Sequence, residues 1–203
     1  MDSESHQSTT GLLGMWVLAN GISWIAGAII TIILSYSVII IYPEENNLLV
    51  GLGLGGAVGF AQWLVFRKRL SISSRWILYS VIGLGIPFII GVVLEQAGTL
   101  PDSWAASEAI AFTLVGSVGG LIAGLLQSHI LRLYSSRAGW WVAFSTLGWG
   151  VTWLSVTAIS EIVWIIGGVI LGIVTSYPLL WILKSPVAIQ PEKQISGIED
   201  IAS

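Results

Sequence analysis

Gln62 and Gln127 stand in otherwise apolar sequence, and each precedes an arginine, Arg67 or Arg132, by five residues. An amide in an apolar helix donates and accepts hydrogen bonds but carries no charge and moves no proton. Four more uncharged polar residues fall at comparable positions in their own apolar segments: Asn20, Ser80, Ser145 and Thr175. At about 1.5 Å of rise per residue, the six form a layer about 8 Å below the helix ends that carry the basic residues. Such a layer can tie neighbouring helices together, each bond adding roughly 0.6 kcal/mol within a membrane. It can also face a solute or a lipid headgroup, with polar groups left open for the ligand. Uncharged amides make a poor coupling site, so interhelical bonding is the favoured reading.

Other chemistries lack their residues. The chain has no cysteine, which excludes disulfides, thiol catalysis and iron–sulfur ligation. Its two histidines are His6, in the polar N-terminal stretch, and His129, at the end of an apolar segment with no counterpart elsewhere. A lone histidine there is expected at an interface, not on a metal. Glu95, Glu108 and Glu161 border apolar segments and read as solvated end charges, the last two near helix N-termini where a carboxylate meets the positive dipole end. Gly116-Ser117-Val118-Gly119 departs from the G-x-S-G of rhomboid-type serine proteases, and the last apolar segment has no histidine. No glycine-rich phosphate loop with its lysine is present, nor the acidic–basic signature of mitochondrial carriers. The expectation is a protein without enzymatic activity, cofactor or metal, and one with no basic domain for nucleic acid.

The elements that position these residues follow from composition. Of 203 residues 55% are hydrophobic and 9% charged, where a soluble domain carries roughly 25% charged residues. A span needs about 20 apolar residues to cross a ~30 Å core. Six segments qualify, at about 13–41, 48–66, 76–94, 109–131, 140–158 and 162–183. The expected fold is all-α and integral to the membrane, with six transmembrane helices in a membrane domain over residues 12–184. Residues 1–11 and 185–203 read as polar tails, disordered at least over 1–10 and 185–203. The N-terminus lacks the basic n-region of a cleavable signal.

Charge orients the spans. Arg67, Lys68, Arg69 and Arg75 lie in the second connection, Arg132 and Arg137 in the fourth, and Lys184 and Lys193 beyond the sixth span. With six spans these all share one side, while Glu44, Glu45, Glu95, Asp102, Glu108 and Glu161 occupy the other. Short loops rich in Lys and Arg stay in the cytoplasm, so both termini are expected there. The basic run at 67–69 also suits contact with anionic lipid.

A repeat underlies the spans. Trp16/Asn20/Ser23, Trp76/Ser80/Gly83 and Trp141/Ser145/Gly148 share the spacing i, i+4, i+7, one face of a helix. Each is followed by a glycine ladder: Gly51/Gly55/Gly59, Gly116/Gly120/Gly124 and the shorter Gly168/Gly172. A shift of 65 residues lays Gln62 on Gln127, Arg67 on Arg132 and Trp76 on Trp141. Each unit crosses twice, so the three hairpins point the same way, and an axis along the membrane normal relates them. A pseudo-threefold bundle is the simplest closure. Glycines at every fourth position let helix backbones approach closely, here between neighbouring hairpins of one chain. Trp16, Trp76, Trp140, Trp141 and Trp181 fall near the basic ends and read as an aromatic belt, whereas Trp149, Trp153 and Trp164 lie deeper as bundle filling.

The segments Trp16-Val17-Leu18-Ala19-Asn20, Gly59-Phe60-Ala61-Gln62-Trp63-Leu64-Val65 and Gly139-Trp140-Trp141-Val142 resemble repeats of uncharacterised multi-pass membrane proteins of cyanobacteria and related bacteria. The likeness covers most of residues 12–184, departing where Thr175 replaces the glutamine. It implies a bacterial source, in a plasma or thylakoid membrane, and no particular activity. The sequence therefore points to a non-enzymatic scaffold or accessory membrane subunit, with membrane lipids and another membrane protein as partners. The alternative is a small-solute or lipid transporter using the polar layer.

Overall fold

A computed structural model of the chain describes residues 2–39, 48–99, 108–158 and 161–185. Among them there is no β-strand, and nearly all lie in helices. Helix α1 runs Asp2–Ile39. A short α2, Leu48–Val50, passes through a π-helical turn, Gly51–Gly55, into α3, Gly56–Leu70. Then come α4 (Arg75–Gln96), α5 (Glu108–Leu131), α6 (Gly139–Ala158) and α7 (Glu161–Lys184).

Four helices are long and apolar enough to cross a membrane, over Gly11–Ser37, Arg75–Leu94, Ala109–Leu131 and Ile165–Lys184. This fits a membrane protein. Two of the six expected segments fall short of that measure for physical reasons. The π turn divides the second and leaves α3 with 15 residues. The fifth, α6, has 20 residues but spends many on Gly, Ser, Thr and Trp.

The helices pack side by side in the cyclic order α1, α3, α4, α5, α6, α7 and back to α1. The π turn packs between α1 and α4. Glycine makes the close approaches. A Cβ on Gly120 would sit 2.5 Å from the Ser145 carbonyl of α6, and one on Gly124 would sit 3.0 Å from the Val142 Cα. The first ladder meets α4 in the same manner: a Cβ on Gly55 would sit 2.9 Å from the Ser80 carbonyl. The third meets α1, where a Cβ on Gly172 would sit 2.9 Å from the Val17 Cα. All three ladders are thus used inside the chain, each against the helix that follows it in the ring.

Two buried clusters fill the axis. One gathers Trp16, Phe66, Ile72, Trp76, Leu131 and Trp141 at the end that carries Arg67–Arg69, Arg75, Arg132, Arg137 and Lys184. The other gathers Trp24, Leu54, Leu84, Phe88, Trp149 and Trp153. Between the first cluster and solvent, α3 stops at Ser71, a left-handed residue at φ 50°, and Tyr134 donates a hydrogen bond to the Ser71 carbonyl at 3.3 Å. This ties the two basic connections together.

Two expectations are corrected. The stretch 2–10 is not disordered but continues α1, whose 38 residues rise about 57 Å, well beyond a ~30 Å core. Trp16, Trp76 and Trp141 do not form a belt: each is at most 1% exposed, while Trp140 is 53% exposed. Their indole N–H groups find acceptors on the axis, which a lipid-facing position at that depth would not offer. The hairpin turn at Ser160, the segment around Asp102, Trp104 and the C-terminal stretch with Lys193 lie outside the described residues, as does the side chain of Trp164.

Candidate functional site

The six polar residues come together at one depth, between the two aromatic clusters. Asn20, Gln62, Ser80, Gln127, Ser145 and Thr175 are all buried, none more than 4% exposed. Five of them, all but Asn20, line one cavity of about 10 Å³ with Val58, Leu84, Ala123, Trp141 and Trp149. That space is about the least that holds a single water.

Hydrogen bonds link the layer from helix to helix. On the α1–α3 seam, the Gln62 amide donates to Asn20 Oδ1 at 2.9 Å, and Asn20 Nδ2 donates to the Trp16 carbonyl at 2.8 Å. On the α3–α4 seam, the Trp76 indole donates to Gln62 Oε1 at 3.3 Å. Gln127 repeats both bonds two helices on. Its amide donates to Ser80 Oγ at 2.8 Å, and its Oε1 accepts from the Trp141 indole at 2.8 Å. On the α7–α1 seam, the Trp16 indole donates to Thr175 Oγ1 at 3.0 Å. Thr175 in turn donates to the Leu171 carbonyl, and Ser80 to the Trp76 carbonyl. Each glutamine therefore gives one bond to the helix before it and takes one from the helix after it.

The three indole donors are what residue-by-residue reading of the sequence missed. A signal was available: twice in the sequence a tryptophan follows a glutamine by fourteen residues, as Gln62/Trp76 and Gln127/Trp141 do. Trp16 and Thr175 form the third such indole bond, between α1 and α7. At this seam Thr175 offers an acceptor to the indole and satisfies its own donor within α7.

Edge-on and tilted ring contacts close the layer on its basic side. Trp16 meets Phe66 at 5.0 Å and Trp141 at 5.8 Å between centroids, and Trp76 meets Trp141 at 5.3 Å. On the other side Trp24 lies 5.9 Å from Trp149 and 6.0 Å from Trp153. Tilted and edge-to-face rings pack by quadrupole as well as by area. Among the described residues, the buried Trp153 Nε1 has no hydrogen-bond partner, and nothing in those residues accounts for it.

The basic candidates stay apart from this layer. Arg67, Lys68, Arg69, Arg75, Arg132, Arg137 and Lys184 are all exposed at the ring's end. Arg67 lies over the Trp63 ring at 4.5 Å, and Trp63 donates to the Ile72 carbonyl, so this arginine is held on the α3 surface. His129 is exposed, and no group of metal-ligating side chains occurs among the described residues.

Comparison of the chain with protein-family models, with curated proteins and with solved structures finds no match.

Proposed function

We propose that the chain is a six-span integral membrane scaffold or accessory subunit that acts through its perimeter, not through its axis. The observation that carries this reading is the state of the polar layer. Its amides bond to neighbouring helices around space for about one water, with aromatic rings packed on both sides. A solute site leaves polar groups open to its ligand; here each glutamine has a donor and an acceptor engaged within the bundle.

The six-span, three-hairpin arrangement is part of the proposal. It is supported by the closed cyclic packing, by three ladders each used against the next hairpin, and by the indole bond at three seams. Placing the basic end in the cytoplasm, both termini with it, rests on the asymmetry of Lys and Arg. A bacterial membrane rests on the resemblance of its repeats.

A second reading, transport of a small solute or a lipid, draws on the convergence of Gln62, Ser80, Gln127, Ser145 and Thr175 on one axial cavity. Flux measurements separate the two. Purified protein in liposomes is expected to leave the permeability to water, glycerol and small ions unchanged, and to leave lipid scrambling at the rate of empty vesicles. Flux above that background that disappears on replacing Gln62 and Gln127 would establish the transport reading instead.

A further inference from the structure

The α1–α3 seam differs from a smooth lipid-facing surface. Between these helices lies an open groove of about 580 Å³, walled by Ile22 and Ile30 on one side and Leu52 and Phe60 on the other. Its floor is made of small residues, among them Ser23, Ala26, Gly53 and Ala61. The lining is almost wholly apolar, and the four wall residues are exposed, from 42% at Ile30 to 68% at Ile22. The π turn borders the groove through Leu52 and Gly53. The turn packs tightly on both neighbours, Gly51 against Gly85 of α4 and Gly53 against Thr31 of α1, and Leu52 stays exposed beside the groove.

Two features identify an occupant. The first is charge. Phe60, Leu64 and Lys68 follow one another at i, i+4, i+8, so the groove face of α3 runs directly into a lysine with Arg67 and Arg69 beside it. All three are exposed. The second is length. From Leu52 to Val65 the lining rises about 20 Å, more than one leaflet but less than the ~30 Å a partner helix would follow across the whole core. An apolar channel of that length with cations at one end matches an acyl chain below an acidic headgroup.

We propose that the α1–α3 groove is a binding site for one anionic phospholipid of the leaflet on the basic side. An acyl chain lies between Ile22/Ile30 and Leu52/Phe60, and the phosphate meets Lys68 and Arg69. The site rests on the membrane-spanning reading above, and it gives the perimeter of the scaffold a defined lipid contact. Basic residues near the surface attract anionic lipid individually; the groove adds a fixed place for the chain.

Native mass spectrometry of the full chain, purified from vesicles of phosphatidylglycerol and phosphatidylcholine in equal amounts, tests this. Retention of one phosphatidylglycerol per chain is expected, in at least tenfold excess over phosphatidylcholine. Lys68→Gln with Arg69→Gln should remove the preference, and Ala26→Phe, which fills an exposed part of the floor, should remove the retained lipid. Thermal unfolding of the same samples shows whether each variant is folded. Equal retention of the two lipids, retention that survives both variants, or a dimer that excludes lipid from the groove would each overturn the proposal. Resistance of the protein to carbonate extraction is read in parallel. Extraction into the soluble fraction removes the membrane reading itself, whereas an integral protein with no retained lipid removes only this site.

Discussion

At the residue scale, the polar layer is glue whose strength depends on pairs. Gln127 accepts from the Trp141 indole and donates to Ser80. Replacing Gln127 with Leu therefore leaves a buried N–H without an acceptor, at a cost of about 1–3 kcal/mol. The average interhelical bond in a membrane is worth only about 0.6 kcal/mol, so the orphaned donor sets the outcome, not the lost bond. Gln127→Leu is expected to lower the thermal midpoint in detergent. Gln127→Leu combined with Trp141→Phe is expected to recover most of that loss, because both partners become apolar together. If the double variant is no more stable than the single one, the indole–amide pair is not what holds this seam. The same test applies to Gln62 and Trp76.

At the element scale, glycine sets how closely the helices pack. Gly120 has no room: a Cβ would sit 2.5 Å from the Ser145 carbonyl and 3.0 Å from Trp149 Cβ. Gly91 in α4 has nothing within 4 Å. Gly120→Ala should overpack the α5–α6 seam and cost about 1–3 kcal/mol. Gly91→Ala should be neutral or stabilise by up to about 1 kcal/mol through helix propensity. Leu121, itself 40% exposed, should tolerate Ala far better than Gly120 tolerates Leu. Thermal unfolding of the variants in one detergent checks the order, and a Gly120→Leu protein as stable as Leu121→Ala would refute the close seam. The end of α3 offers a gain instead. Ser71 holds a left-handed conformation at φ 50°, which costs a side-chain-bearing residue about 1–2 kcal/mol. Ser71→Gly should raise the thermal midpoint, and a lowered midpoint would mean that the serine side chain contributes more than the backbone costs.

At the scale of the whole molecule, one end of the ring holds every described Lys and Arg. Reporter fusions placed after Ser203 and between Glu95 and Glu108 should report opposite compartments, with the C-terminal fusion cytoplasmic. Equal signals from the two sites would mean that the number of crossings between them is not odd. The same segregation explains why the ring tolerates a polar layer at all. The layer is bonded internally, and the charges stay where water can reach them.

The sequence by itself determined the helical class, the positions of the apolar segments, the glycine ladders and the matched depths of the polar residues. These are local properties: hydrophobic length, i to i+4 spacing and distance from the nearest basic residue are all read along one chain segment. Only the tertiary structure decided which helix each ladder meets, since Gly172 could face any neighbour until α7 closed against α1. It alone turned Trp16, Trp76 and Trp141 inward, because an indole at the end of a helix serves equally at a lipid interface or against a buried amide. The π turn also escaped the sequence. Gly51–Gly55 has the composition of an ordinary packing ladder, and its widening follows from fitting between α1 and α4 at once. Direction around the ring is a property of all the helices together, and no segment carries it alone.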